Sequence, residues 1–209
     1  MKDDYLEYDR GVWERIFQKI PSDWYEAPPS DAMVQCRDFF TANPVRRLLD
    51  LGCGFGRWSM MLAGGLDVVG VDYAPGGVRA ASQWAKRKGA RAQFVAASAL
   101  ALPFRPTVFD GILVALLLDN VSREDLGKVI RSVNRVVRAG SQGFFVFNPY
   151  LTEQDAARVA EDNPTKNCMH VAYRDEELPE CLEGWTVRRV ATSEEGFRIV
   201  EASFAPPKA

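Results

Sequence analysis

Leu48-Leu49-Asp50-Leu51-Gly52-Cys53-Gly54-Phe55-Gly56 is the stretch that decides how this chain folds. A short apolar run meets an acid, and three glycines follow at alternate positions. The run has the composition of a strand buried on both faces of a parallel sheet. The glycines permit a sharp turn and let a ligand approach bare amides, because no Cβ stands in the way. Gly56 then opens a helix whose first N–H groups are free to face that ligand. Further on, Val68-Val69-Gly70-Val71 reads as a second strand ending at Asp72. An acid there can accept hydrogen bonds from both hydroxyls of a ribose. These parts predict a nucleoside-cofactor site at the carboxyl edge of an α/β sheet.

Outward from that stretch, strand and helix signals alternate. Strands are predicted at 47–51, 67–71, 91–95, 109–115 and 143–147. Helices are predicted at 56–64, 75–88 and from the N-cap Ser122 to about 138, with Gly89 as the stop signal of the second. Two late strands, 185–192 and 197–204, flank the turn Ser193-Glu194-Glu195-Gly196 and read as a hairpin. Ahead of the core, Tyr5, Tyr8, Val12, Trp13, Ile16 and Phe17 recur at helical spacing. Tyr5, Tyr8 and Trp13 are expected to pack on the core. A second helix is expected from Ser30 or Asp31 to Phe40. The reading is thus an N-terminal helical cap over 1–44 and a core over 45–209. An insertion at about 149–184 is expected to carry helices 152–161 and 175–183 and to act as a lid.

Composition narrows the class. A chain of 209 residues fits one domain with a small lid. Its 47% hydrophobic content is ordinary for a globular protein, and a net charge of −2 argues against a nucleic-acid partner. The four cysteines, at 36, 53, 168 and 181, include no CxxC pair and no zinc-like spacing, so no metal site is expected. The longest apolar run, Ile112 to Leu118, is too short to cross a bilayer. No signal peptide is visible at the N-terminus, and the expected setting is a reducing cytoplasm.

The cofactor is argued from the third glycine. A dinucleotide fingerprint needs a small residue three positions after Gly54, and that position is Arg57. No Gly-Lys-Ser/Thr follows, which excludes a P-loop. Glycines at 52, 54 and 56 after Asp50 resemble instead the D-L-G-x-G-x-G motif of class I S-adenosylmethionine-dependent methyltransferases. The likeness extends over roughly residues 45–204. Asp72 matches that family's ribose acid, Leu102-Pro103-Phe104 its L-P-F, and Phe109-Asp110 its F-D. Arg135-Val136-Val137-Arg138-Ala139-Gly140 resembles a degraded R-V-L-K-P-G-G. The chain looks like the small-molecule members, of the type 11-like group. The resemblance implies a Rossmann-like, doubly wound, seven-stranded sheet, mostly parallel with an antiparallel strand in the C-terminal hairpin.

The resemblance also implies roles. Asp50, Gly52, Cys53, Gly54 and Gly56 would shape the pocket for the methionine portion of S-adenosylmethionine. Asp72 would hold the ribose and Tyr73 would pack on the adenine. Ser98, with Ala99, stands where many relatives carry an acid for the adenine amino group. Ala115 falls where backbone groups meet the amino-acid end.

Methyl transfer needs alignment and exclusion of water more than it needs a catalytic triad. A base is needed only for a nucleophile that is protonated at the working pH. His170, the only histidine, Asp119 and Tyr150 are the candidates for that role, each set against a purely structural reading. Asp119 and Asn120 either touch substrate or cofactor, or only shape the turn into the Ser122-capped helix. Trp24, Tyr25, Asn120, Asn148 and Tyr150 are candidate substrate-binding residues. Cys168 and Cys181 could take a soft metalloid, but arsenic methyltransferases carry a larger and differently placed set.

The expected activity is methyl transfer to a small-molecule oxygen, sulfur or nitrogen nucleophile. Its rivals are a protein or RNA methyltransferase, a non-catalytic cofactor-binding module and, at the level of fold, a dinucleotide-dependent reductase. Which acceptor is methylated, and in what oligomeric state, these motifs do not encode.

Overall fold

The computed structural model describes residues 2–149, 171 and 173–206, with side chains from Arg10 onward except Ser22. The chain runs α1 (Lys2–Gln18), α2 (Asp31–Ala42), β1 (Arg47–Leu51), α3 (Arg57–Leu62), β2 (Asp67–Asp72), α4 (Pro75–Lys88), β3 (Ala92–Ala96), β4 (Phe109–Ala115), α5 (Arg123–Val136), β5 (Val137–Phe147), β6 (Trp185–Thr192) and β7 (Arg198–Phe204). Single 3₁₀ turns sit at Ser22–Tyr25, Leu118–Asn120 and Asp175–Glu177.

The seven strands of the described residues form one sheet in the order β3-β2-β1-β4-β5-β7-β6. The first five are parallel, and β7 runs antiparallel to both β5 and β6. This is the doubly wound seven-stranded sheet the sequence implies. Strand order reverses between β1 and β4, so the loops after them diverge and open a crevice at their carboxyl ends.

Side-chain alternation divides the core between the two faces. Leu49, Leu51, Val69, Val71, Ile112, Val114, Phe145 and Phe147 meet Val129, Ile130, Val133 and Val136 of α5. On the other face Leu48, Val68, Leu113, Phe144 and Val146 meet Ala32, Cys36, Phe39 and Phe40 of α2 and Leu62 of α3. A parallel sheet needs such cover on both sides. Among the described residues no helix is long and apolar enough to cross a membrane.

Four elements differ notably from the sequence reading. The helix begun at Ser122 stops at Val136, and β5 starts at Val137 rather than 143. Val137 pairs with Phe109, and pairing resumes at Gln142 with Gly111. Between these pairs the Ser141 hydroxyl accepts from the Arg138 amide at 3.0 Å and donates to the Phe109 carbonyl at 3.1 Å. The helix expected over 175–183 is only the turn Asp175–Glu177, because Pro179 lacks the amide a longer helix would use. The helix after Gly56 ends at Leu62. The helix expected over 152–161 lies outside the described residues.

Candidate active site

The glycine loop is held by backbone geometry. Gly52, Gly54 and Gly56 have φ of 78°, 53° and 86°, left-handed values that disfavour a side chain. A Cβ on Gly56 would lie 2.8 Å from the Ala81 methyl, so α3 and α4 close on that residue too tightly for anything larger. The amides of Gly52 and Cys53 both donate to the Val71 carbonyl, at 2.8 and 3.0 Å, which ties the loop to the end of β2.

Asp72 makes the second tie. One carboxylate oxygen accepts from the Gly54 amide at 2.9 Å, and the other from the Ala74 amide at 2.8 Å. The residue is 7% exposed. Burial pushes its pKa up to about 6, against the pull of these amide bonds. Asp50 lies deeper, 1% exposed, and accepts from the Ser59 hydroxyl at 2.6 Å. Burial raises it to about 7; the Ser59 bond opposes this, and the charge of Asp72 adds to it. Burial also pushes up the Cys53 thiol, with Asp50 and Asp72 adding to the effect, which disfavours the thiolate form.

A cavity of about 640 Å³ opens above this loop at the carboxyl ends of the strands. Gly52, Cys53, Gly54, Asp72, Tyr73, Ser98, Ala99 and Ala115 line it, and so do Trp24 and Asn120. Asp50 and Gly56 are not on its wall; they hold the loop from behind. Tyr25 is off the wall as well. It packs edge-on against Phe55 and Trp84, at 5.4 and 4.8 Å between ring centres.

Asp119 is 3% exposed. Its carboxylate accepts from the Asn148 amide at 2.8 Å and from the Asn148 side chain. Its carbonyl accepts from the Val171 amide at 2.7 Å. Asp119 and Asn148 therefore join the ends of β4 and β5, and neither lines the cavity. Tyr150, Cys168 and His170 lie outside the described residues. Among the described residues no group of histidine, cysteine, aspartate and glutamate has the geometry of a metal site.

The cavity also has walls that sequence reasoning missed. Trp13, expected to be core packing, lines it together with Phe17, Phe55 and Trp58. Trp13 and Phe17 stack at 5.7 Å, one helical turn apart on α1. Leu116 and Leu117, just past β4, supply an apolar wall. The helical spacing of Trp13 and Phe17 was readable; nothing in it said that their face meets the glycine loop.

A left-handed glycine loop after β1, a buried acid at the end of β2 and a crevice at the carboxyl ends of the strands define an α/β domain built for a nucleoside cofactor. Residues 48–140 match the family model described as a methyltransferase domain. Over these residues the chain is similar to the class I S-adenosylmethionine-dependent methyltransferases, whose cofactor is S-adenosylmethionine.

Relatives agree at that level. A demethylmenaquinone methyltransferase of Thermus thermophilus is 36% identical over 108 residues, which are 50% of this chain and 48% of that protein. A ubiquinone biosynthesis O-methyltransferase of Azorhizobium caulinodans is 36% identical over 92 residues, 44% of this chain and 36% of that protein. The chain thus spans about half the length, or less, of these curated relatives. In fold, it is similar to the 1,6-didemethyltoxoflavin-N1-methyltransferase of Burkholderia thailandensis, solved with 1,6-didemethyltoxoflavin and S-adenosylhomocysteine. That likeness has a TM-score of 0.74 at 18% identity and covers 97% of this chain and 90% of the other.

Proposed function

We propose that this protein transfers the methyl group of S-adenosylmethionine to a small, hydroxylated aromatic acceptor. The observation that carries the reading is one continuous cavity, with the glycine loop and Asp72 on one side and Trp13, Phe17, Trp24, Phe55 and Trp58 on the other. Its volume falls within the roughly 300–1,000 Å³ of small-ligand pockets. Flat aromatic walls suit a flat acceptor. The two curated relatives, named for demethylmenaquinone and for ubiquinone biosynthesis, support a ring of this kind. Oxygen is the favoured nucleophile, with sulfur and nitrogen as the alternatives.

S-adenosylmethionine supplies a methyl group on a sulfonium that is already a good leaving group. The residues present fit it. The Gly52–Gly54 turn, which presents no side chain at its two glycines, and the backbone at Ala115 would pack around its amino-acid end. Asp72 would bind the ribose through lone pairs left by the Gly54 and Ala74 amides. Tyr73, Ser98 and Ala99 would bound the adenine. Asp50 supports the loop through Ser59 without touching the ligand.

Catalysis on this reading is chiefly alignment in a dry chamber. The α1 aromatics, as part of a cap over 1–44, would exclude water and hold the acceptor plane. The bonds of Asp119 to Asn148 support a turn-shaping role for it. His170 and Tyr150, which lie outside the described residues, are the candidate bases for the acceptor proton.

The test is transfer of a labelled methyl group from S-adenosylmethionine to a panel of catechols, hydroquinones, aryl thiols and aryl amines. The expected result is turnover with hydroxylated rings and His170→Ala turnover that falls on the acid side of the pH profile. Tight cofactor binding with no transfer to any member would overturn the activity and favour a non-catalytic module.

A further inference from the structure

Arg57 opens α3 and is the only cation among the described residues that line the cavity. Phe55 and Trp58, its near neighbours in the chain, line the cavity with it. Nη2 donates to the Pro28 carbonyl at 2.6 Å and reaches the Ala27 carbonyl at 3.4 Å. Those carbonyls belong to the segment between the Ser22–Tyr25 turn and α2, and the turn carries Trp24. The Trp24 and Phe55 rings stand 6.3 Å apart between centres. Arg57 thus bridges two pieces of the aromatic wall.

A guanidinium has N–H groups on all three nitrogens, and only Nη2 is engaged. Nε and Nη1 make no hydrogen bond or ion pair among the described residues. Neither atom is sealed from solvent, although the residue as a whole is only partly exposed. Nor is the charge spent on the acid behind the glycine loop. Burial raises the Asp50 pKa most, Asp72 adds to it, and only the bonds with Ser59 oppose the rise. An arginine keeps its charge at any ordinary pH, and holding that charge among aromatic rings is unfavourable without an anion. A carboxylate matches the planar fork with two parallel bonds. The other charged residues on the wall, Asp72, Glu124 and Asp125, are acids. They repel a carboxylate, which leaves Arg57 as the place for one.

We infer that Arg57 is a specificity-determining residue that pairs with a carboxylate on the methyl acceptor, which makes the acceptor a hydroxylated aromatic acid. The inference rests on the reading of the cavity as a site for a small aromatic acceptor. The ring lies against Trp24, Phe55 and Trp58, with its carboxylate on Nε and Nη1 and its hydroxyl toward the cofactor. A neutral carboxamide of the same shape sets an N–H donor against the guanidinium and brings no charge. The site thus selects the acid over its amide.

The test is calorimetric titration of the protein saturated with S-adenosylhomocysteine. The probes are 3,4-dihydroxybenzoate and 3,4-dihydroxybenzamide, one shape with and without the charge. The wild type is expected to bind the acid about tenfold or more tightly. Arg57→Met is expected to narrow that gap to about twofold, and Arg57→Lys, which keeps a charge without the fork, to leave an intermediate gap. The Tyr25 ring on Phe55 and Trp84, and the 2.9 Å pair of Lys88 with Glu26, hold the segment in place without Arg57. A wild type that binds both probes equally overturns the inference and leaves the small-acceptor reading standing. So does Arg57→Met that weakens both probes in step with the gap intact, because the residue is then only a clamp. Loss of S-adenosylhomocysteine binding in Arg57→Met, with 5′-methylthioadenosine binding unchanged, assigns the guanidinium to the cofactor's carboxylate and also overturns it. A wild type that binds neither probe removes the acceptor reading and the inference together.

Discussion

The carboxylate of Glu14, on α1, accepts a 2.6 Å hydrogen bond from the amide of Gly76 in the first turn of α4. Its other oxygen takes the Arg79 guanidinium at 2.8 Å. A helix N-terminus has amides without partners and a partial positive charge, so an acid from another helix is a favourable cap. Phe17, one turn further along α1, lies over Gly77 and Gly54. Two consecutive glycines in a helix are unfavourable on propensity alone. Here they form the seat on which α1 rests, and α1 carries the cavity's aromatic wall.

The two glycines are predicted to respond differently to alanine. A Cβ on Gly76 would meet only the tip of the Glu14 side chain, 2.7 Å away, which can swing aside. A Cβ on Gly77 would meet the Phe17 ring at 2.8 Å and the Gly54 carbonyl at 2.9 Å, and that backbone cannot move without deforming the loop. Gly77→Ala should cost about 1–3 kcal/mol in urea unfolding. Gly76→Ala should stay within about 1 kcal/mol of wild type.

Removing the cap itself should loosen α1 more than the sheet. Glu14→Ala is expected to lose about 0.5–2 kcal/mol. Hydrogen exchange should report it as faster exchange across residues 10–18 with β1 and β4 unchanged. Equal loss of protection in the central strands would contradict the assignment of Glu14 as a local latch.

Stability should fall as pH rises. Burial holds Asp50 at about 7 and Asp72 at about 6 in the folded protein. In the unfolded chain an aspartate titrates near 3.9. Between those values the native state keeps protons that the unfolded state has released. The stabilisation from these two groups is therefore complete below about pH 4 and is lost as pH rises through about 6 to 7. The urea midpoint of the ligand-free protein should be higher at about pH 5 than at about pH 8, and Asp50→Asn should flatten most of that slope.

Arg198 ties together the two ends of the segment that interrupts the C-terminal half. The residue is 6% exposed. Its Nε and Nη2 donate to the Asn148 carbonyl at 3.0 and 2.8 Å. Nη1 donates to the Tyr173 carbonyl and reaches Asp175 at 3.3 Å. Arg198→Met should cost about 2–4 kcal/mol, because it strips buried carbonyls of their donors. Arg198→Lys should recover only part of that, since a point charge cannot fork toward both carbonyls. Full recovery with lysine, measured by urea unfolding, would contradict this account.

The sheet was legible because its strands are apolar runs stopped by glycine or acid. Strands β1, β4 and β6 fall on the residues read for them. The site was legible wherever chemistry demands a residue type, at the three glycines and at Asp72. It was not legible where packing decides. Periodicity puts Trp13 and Phe17 on one face of a helix but does not say what that face covers. An apolar run can also hide a turn. Ala115 ends β4, yet Leu116-Leu117-Leu118 reads as more of the same run. Nothing in those three leucines marks Leu116 as left-handed, with φ of 56°, since such turns normally announce themselves with glycine or asparagine.

The central claim is that the glycine loop and Asp72 together hold S-adenosylmethionine. Its most direct test is calorimetric titration of S-adenosylhomocysteine, and separately of NADH, into the wild type and into Asp72→Asn and Asp72→Ala. The account predicts saturable binding of S-adenosylhomocysteine, none of NADH, and an affinity about tenfold to a hundredfold weaker in both variants. Unchanged affinity in folded Asp72→Asn, or a wild type that takes NADH in place of S-adenosylhomocysteine, would contradict it.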